Sequence, residues 1–337
     1  MKRKVISLFS GAGGMDLGFI KAGFEICFAN DIDSSAVQTY KKNIGNHIVE
    51  KNVKEIFVSE IEEYEDIDVI IGGPPCQGFS MAGNIGRTFK DDERNYLYKE
   101  FIRIVKKLMP KYIVMENVAR LYTHKKEKTK EEIIKDFFNI GYEVKAKVLN
   151  SADYGTPQIR NRVFFIGKRK ELKGSIEFPK AVVCSSKYKT VKEAIQHFPK
   201  LNSSEKNFDY YNHESMSHTE QMLKKMKYVK DGCGRECIPK ELGEIKGDIR
   251  KYIRYDSSKP AICVTGDMRK VFHYNQNRAL TVRELATLQD FPEDFEFIGT
   301  KISQQQQVGN AVPVKLAYAV AKCIMKMIED GEKNEVS

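Results

Sequence analysis

Short apolar runs recur along the first half of the chain, each followed by a polar-faced stretch of helical period. The runs Val5–Phe9, Ile26–Ala29, Val69–Ile71, Tyr112–Met115, Val144–Leu149 and Val163–Gly167 have strand length and are rich in Val, Ile and Phe. Between them, Asp16–Ala22, Ser34–Lys42, Tyr96–Leu108 and Lys130–Ile140 space their apolar residues as amphipathic helices do. Such alternation predicts a mostly parallel sheet with helices on both faces, where ligands gather beyond the carboxyl ends of the strands. The rhythm stops near Glu171. Residues 171–275 are rich in Lys, Tyr, Ser, Asn and Gly and hold few periodic segments, so an irregular second domain is expected. Periodicity returns in RALTVRELATLQDFP (278–292), read as a helix ended by proline, and in VPVKLAYAVAKCIMKMIED, an amphipathic helix expected to pack on the first domain. The expected organisation is a first domain over 1–170 completed by a C-terminal segment (309–330), and a smaller domain with a hinge over 171–305.

With 337 residues, 41% of them hydrophobic, the chain exceeds the usual size of one domain and can bury a large core. No apolar run reaches the roughly 18 residues of a membrane helix, and the basic start MKRKVISLFSGAGG leads into glycines without a cleavage pattern. A strand is expected there, not a signal peptide. The seven cysteines are scattered, with only Cys233 and Cys237 close together, which fits reduced thiols in the cytoplasm better than a disulfide framework or a zinc set. His213 and His218 have no acidic or thiol partner nearby, so no metal is expected. A formal charge of +10 favours a polyanionic partner, because Lys and Arg that neutralise phosphates release condensed counterions. A merely basic surface has the same balance.

Strand Val5–Phe9 runs straight into Ser10-Gly11-Ala12-Gly13-Gly14, with a helix from about Asp16. Glycines let the backbone approach a ligand closely, and the helix start offers unpaired N–H groups. Asp16 stands where the third glycine of GxGxxG would be. A carboxylate near the mouth would repel a pyrophosphate and suit a sulfonium with an amino group. Asp31 follows the second strand, twenty positions after Gly11, where a carboxylate can accept from both ribose hydroxyls. S-adenosylmethionine is favoured over a dinucleotide. The plainer alternative is a glycine-rich turn with Asp31 and Asp33 capping the helix from Ser34.

Strand Val69–Ile71 ends in Gly72-Gly73-Pro74-Pro75-Cys76-Gln77-Gly78-Phe79-Ser80. Two prolines fix the backbone before the thiol, a stiffness that suits a nucleophile and is needless for a core cysteine. The next strand ends in Glu116-Asn117-Val118, bringing a carboxyl group to the same sheet edge. Farther on, Gln158-Ile159-Arg160-Asn161-Arg162 spaces two arginines to one face of an extended strand.

GPPCQGFS, ENV, QIRNR, RALTVRELATLQDFP and GNAVP, together with FSGAGGMDLGF and Asp31, resemble the ordered motifs of the DNA cytosine-5 methyltransferase family, bacterial restriction-modification type. The resemblance covers nearly the whole chain. It implies the α/β fold of a class I S-adenosylmethionine-dependent methyltransferase, a Rossmann-like mixed sheet, with a small irregular target-recognition domain. It implies that the Cys76 thiolate adds to carbon 6 of a flipped cytosine and makes carbon 5 nucleophilic. Glu116 would proton-donate to ring nitrogen 3, which asks for a raised pKa in an enclosed site. Arg162 would hydrogen-bond the cytosine carbonyl, and Arg160 would support the site and favour the thiolate.

The cofactor, S-adenosyl-L-methionine (product S-adenosyl-L-homocysteine), would meet Phe9 against its adenosine and Ser10, Gly11, Gly13 and Gly14 in the loop. Asp31, Ile32, Val53, Gly73 and Pro75 would line the same site, with Asn310 and Ala311 near the methionine end. Where many relatives carry an acid after the third strand, this chain has Asn52, whose amide oxygen would serve instead. Gln77 and Ser80 are expected near DNA, within a loop over Gly78–Lys99 that closes on the flipped base about Gly83 and Gly86. In the variable segment Arg250, Arg254 and Arg269 are the expected DNA contacts, drawn from a wider set with Lys259, Thr265, Asp267 and His273. Arg283 and Glu284 are expected to pair locally. The expected partner is double-stranded DNA, approached by a monomer with no membrane attachment and with a cognate restriction endonuclease encoded nearby. A tRNA cytosine-5 methyltransferase and a catalytically silent DNA-binding homologue are the alternatives.

Overall fold

The computed structural model describes residues 2–61, 64, 66–75, 97–124, 126–242 and 251–336. They form two compact units, one of Met1–Asn150, Asn161–Lys180 and Leu316–Ser337, the other of Ser151–Arg160 and Ala181–Lys315. The units therefore interleave along the chain, whereas the pattern reading placed its boundaries at 170 and 309.

The first unit is built on a seven-stranded sheet of β1 (Lys4–Leu8), β2 (Glu25–Asp31), β3 (Ile48–Glu50), β4 (Val69–Gly72), β5 (Tyr112–Val118), β6 (Tyr142–Asn150) and β7 (Asn161–Arg169), in the order β3-β2-β1-β4-β5-β7-β6. Strands β3 to β5 pair in parallel, and β7 runs antiparallel between β5 and β6. This is the mostly parallel α/β sheet that the alternation predicts, mixed and Rossmann-like as the resemblance implies. The central strands β1, β4 and β5 are buried on both faces, so they read as unbroken apolar runs. Edge strand β6 instead alternates buried and exposed positions. Strand β3 escaped the pattern reading because it has three residues, of which only Ile48 is buried.

Helices α1 (Gly14–Lys21), α2 (Ser34–Asn43), α3 (Leu97–Leu108), α4 (Arg120–Thr123) and α5 (Lys128–Asn139) lie between the strands. Helix α2 starts where it does because the Asp33 side chain accepts from Ala36 N–H at 3.0 Å. A core of Ile6, Leu8, Ile70, Phe101, Ile113, Met115, Phe137 and Phe165 joins helices to sheet.

The second unit holds α6 (Val191–Ile195), α7 (Glu220–Tyr228), the two-stranded pair β8 (Ile253–Arg254) and β9 (Val271–Phe272), α8 (Val282–Thr287) and α9 (Lys301–Asn310). Helix α10 (Val314–Val336) follows and belongs to the first unit from Leu316 onward. The helix expected over 278–292 is the short α8. Thr281 closes a capping box with Glu284 and stops the helix from starting earlier. Glu284 pairs with Arg278 at 2.6 Å, not with Arg283 as expected. Arg283 instead donates to the carbonyls of Pro292, Glu293 and Phe295. Among the described residues no helix is long and apolar enough to cross a membrane.

Candidate active site

Strand order reverses between β1 and β4, the place where open α/β sheets leave a crevice for ligands. Leu8 and Gly72 are register partners, so the loop after β1 and the Gly73-Pro74-Pro75 segment after β4 leave the sheet side by side. In the first loop Phe9, Gly11 and Gly13 adopt positive φ of 56°, 54° and 88°. Gly11 N–H donates to Asp31 Oδ2 at 2.7 Å, and Asp33 N–H donates to Oδ1 at 2.9 Å. Asp33 thus caps α2, while Asp31 ties the glycine loop to the end of β2. Burial pushes the Asp31 carboxyl up from its ordinary value. Ile32 beside it is 67% exposed, and the space above Gly11 is open. A half-buried acceptor next to a bare apolar side chain under an open glycine turn suits a ligand with a diol and a flat apolar ring.

Asp16 does not stand at the mouth of this crevice. It is fully buried, with Ser7 Oγ and Tyr40 Oη each donating to its carboxylate at 2.8 Å. The first turn of α1 faces the sheet, which takes Gly14, Met15 and Asp16 inside together. The expectation that Asp16 faces a sulfonium is therefore corrected. Asn52 caps the 3-10 turn over Val53–Glu55, its amide oxygen accepting from Lys54 N–H at 3.1 Å. The side chain of Val53 is in the core, and its carbonyl accepts from Arg103 at 3.0 Å.

At the neighbouring strand ends, Arg162 Nε lies 2.9 Å from Glu116 Oε1, with both side chains nearly buried. The pair follows from register: β5 and β7 are antiparallel, and Val118 opposes Arg162. Next to the acid, Asn117 Nδ2 donates to the Pro74 carbonyl at 2.9 Å, pinning the residues before Cys76 to the strand that carries Glu116. A Cβ on Gly73 would stand 3.1 Å from Glu116 Oε2, so glycine there leaves the acid its place. In this pairing Glu116 is an acceptor, and Arg162 must release or share it for the acid to serve a base. Cys76, Gln77 and Ser80, and the expected closing loop from Gly78 through Gly83 and Gly86 to residue 96, lie outside the described residues, as does Arg250.

In the second unit Arg160 is buried and acts as a brace. Its guanidinium donates to the carbonyls of Val264 at 2.7 Å, Gly309 at 2.6 Å and Ala311 at 3.0 Å. These bonds make Arg160 a support for the segments around it, while its expected part in favouring the thiolate involves Cys76, which lies outside the described residues. Asn310 is exposed at the end of α9, and Ala311 is half-buried behind it.

Arg254 is also corrected. It is buried, and its guanidinium donates to the carbonyls of Val229 at 2.6 Å, Gln276 at 2.6 Å and Met226 at 3.0 Å, so it has nothing to offer DNA. His273 is buried as well, and desolvation lowers its pKa to about 4. His213 is packed between Thr281 and the Pro199 carbonyl. Arg269 is exposed, and Lys259 reaches solvent beside Asp256.

The pattern reading missed Asn117, whose place beside Glu116 was the available signal. It also missed Gln158, which is buried and binds the Val264 N–H and the Leu288 carbonyl.

The sheet order and the crevice define the class first: this is the fold of the class I S-adenosylmethionine-dependent methyltransferases. The profile of the C-5 cytosine-specific DNA methylases matches residues 3–326, and the chain belongs to that family. It is 54% identical to Type II methyltransferase M1.HphI of Haemophilus parahaemolyticus, over 97% of this chain and 88% of that protein. It is 37% identical to Type II methyltransferase M.NgoFVII of Neisseria gonorrhoeae, over 98% and 88% of the two chains. A solved structure described as a prophage-encoded DNA modification methyltransferase from E. coli superposes with a TM-score of 0.77 at 26% identity, covering 97% of this chain and all of that one.

Proposed function

We propose that the chain methylates carbon 5 of a flipped cytosine in a short, specific duplex site, as the modification enzyme of a type II restriction-modification system. The observation that carries the chemistry is the hydrogen bond from Asn117 to the Pro74 carbonyl, which sets the stiff segment before Cys76 against the Glu116–Arg162 pair. Cys76 adds to carbon 6, and its electron pair makes carbon 5 nucleophilic. Glu116 holds a proton at ring nitrogen 3, and Arg162 turns to the ring carbonyl. Carbon 5 then takes the methyl group, a base removes the proton it carried, and the sulfur is eliminated, which restores the ring.

S-adenosylmethionine supplies the methyl group and departs as S-adenosylhomocysteine. Asp31 would hold its ribose, with Phe9 and Ile32 flanking the adenine and Ser10, Gly11, Gly13 and Gly14 lending backbone. Gly73 and Pro75, with Asn52, Val53, Asn310 and Ala311, complete the proposed set. The protein works as a monomer in the cytoplasm on double-stranded DNA, beside a gene for the cognate endonuclease. Similarity to named type II methyltransferases favours duplex DNA over tRNA.

The test uses duplex DNA carrying 5-fluorocytosine, in which fluorine replaces the departing proton. Wild-type protein should form a denaturant-resistant adduct, and Cys76→Ser should form none while still binding DNA. Methylation persisting in the serine variant, or activity confined to tRNA, would overturn the reading.

A further inference from the structure

Between β8 and β9 the chain makes a turn, Val264 to Lys270, whose side chains divide sharply between interior and surface. Met268 is 2% exposed, while Asp267 and Arg269 on either side of it reach solvent. The turn is mounted on a rigid base. Arg160 grips the Val264 carbonyl at 2.7 Å, Gln158 Oε1 accepts from Val264 N–H at 2.8 Å, and Gln305 Oε1 accepts from Met268 N–H at 3.3 Å. Helix α9 packs so closely that a Cβ on Gly309 would lie 2.3 Å from the Thr265 carbonyl carbon.

On this base Asp267 fixes Arg269 through two contacts, Nε to Oδ1 at 2.8 Å and Nη2 to Oδ2 at 3.2 Å. Lys251 Nζ holds Oδ2 from behind at 2.6 Å. Arg269, with Lys251 behind, keeps the Asp267 carboxyl well below the usual carboxylate range. The grouping stays ionised wherever the enzyme works.

Using Nε and one N–H of Nη2 for the carboxylate leaves the other fork of the guanidinium, Nη1 and the second Nη2 proton, directed away from Asp267. Arg269 lines a cleft of about 270 Å³ together with Met216, Met222, His218, Lys251 and Lys270. A fork of two parallel donors matches the O6 and N7 acceptors that guanine alone presents in the major groove. Asp267 offsets part of the charge of Arg269 and Lys251, which makes this arginine a weaker grip for phosphate than an unpaired one. A prepositioned fork loses little entropy on binding.

We propose that Arg269 reads a guanine of the target site, with Asp267 and Lys251 as its positioning residues. This rests on the DNA-methylating reading above. The test maps 5-methylcytosine across a randomised duplex library for the full-length wild type, Arg269→Ala, Arg269→Lys and Asp267→Asn, with the melting midpoint of each.

Wild type should show an invariant guanine near the methylated cytosine. Arg269→Ala should lose about 10- to 100-fold of the discrimination at that one position. Lysine should leave DNA affinity nearly intact without restoring discrimination. Asp267→Asn should lower discrimination at the same position, in the ratio of kcat/KM values for guanine over its replacements, with an unchanged melting midpoint. An unaltered pattern in Arg269→Ala overturns the proposal. So does equal weakening on every sequence, the mark of a phosphate contact. If wild type leaves no 5-methylcytosine at all, the functional reading itself has failed and takes this proposal with it.

Discussion

A fully buried carboxylate needs donors, and Asp16 has the hydroxyls of Ser7 and Tyr40, each at 2.8 Å. Tyr40 Oη in turn lies 3.0 Å from His47 Nε2, so a polar chain runs from the interior of α1 to the half-buried ring of His47. Both hydroxyls favour the charged form, yet burial outweighs them and lifts the pKa from 3.8 to about 6. The consequence for stability has a definite sign. Below pH 3.8 the group is protonated whether the chain is folded or not. As pH rises toward 6 the folded chain keeps a proton that the unfolded chain has released, so stability falls across that window. The loss levels off above it at roughly 3 kcal/mol. Asp16→Asn should remove this slope. Urea unfolding at several pH values should show wild type and variant converging or crossing as pH rises from 4 to 7, and parallel curves would refute it.

The sequence could not reveal this position, because one helical turn decides whether a side chain at the start of α1 meets solvent or sheet. The arginines fail the same way. Arg254, expected on DNA, is buried, as are Arg160, Arg278 and Arg283. Irregular backbone leaves carbonyls without ladder partners, and a guanidinium with five donors satisfies several at once. An irregular segment rich in arginine therefore hides some of its charge inside.

At the scale of elements, α1 and α10 approach so closely that the side chain of one residue decides the spacing. A Cβ on Gly18 would lie 2.4 Å from the Ala317 Cβ and 2.6 Å from the Tyr318 backbone nitrogen. Alanine in place of glycine adds about 1 kcal/mol to an exposed helix. Here overpacking, at about 1–3 kcal/mol, opposes it, and the obstacle is backbone, which cannot rotate away. Gly18→Ala should therefore destabilise the protein, by up to about 2 kcal/mol, measured as a lowered denaturant midpoint at unchanged slope. A stabilised variant would mean that α10 is free to move outward. The long elements of the first unit were legible because burial on both faces forces apolar runs in β1, β4 and β5, and one-sided burial forces helical period in α3 and α5. Helix α8 lies within the expected 278–292; the Thr281–Glu284 capping box sets its start at Val282, and the helix ends at Thr287, short of Pro292.

At the scale of the whole molecule, motif order identified the family while composition only permitted it. Gly73-Pro74-Pro75 of the first motif, ENV, and Asn161-Arg162 of QIRNR fall at three strand ends that pairing brings together, an adjacency no single motif contains. The charge of +10 acquires a meaning only with that family in view. If the excess of Lys and Arg faces the duplex, binding must release counterions, and affinity must fall as a power of salt concentration. For roughly six to ten phosphate contacts, affinity for a duplex lacking the target site should drop on the order of 10³-fold or more between 50 and 200 mM salt. Arg269→Ala should leave that slope unchanged, because a base contact releases no phosphate counterion, whereas removing a phosphate-facing lysine should reduce it by about one. Fluorescence anisotropy over a salt series measures both slopes. A nearly flat response from wild type would show that the basic surface serves something other than the duplex.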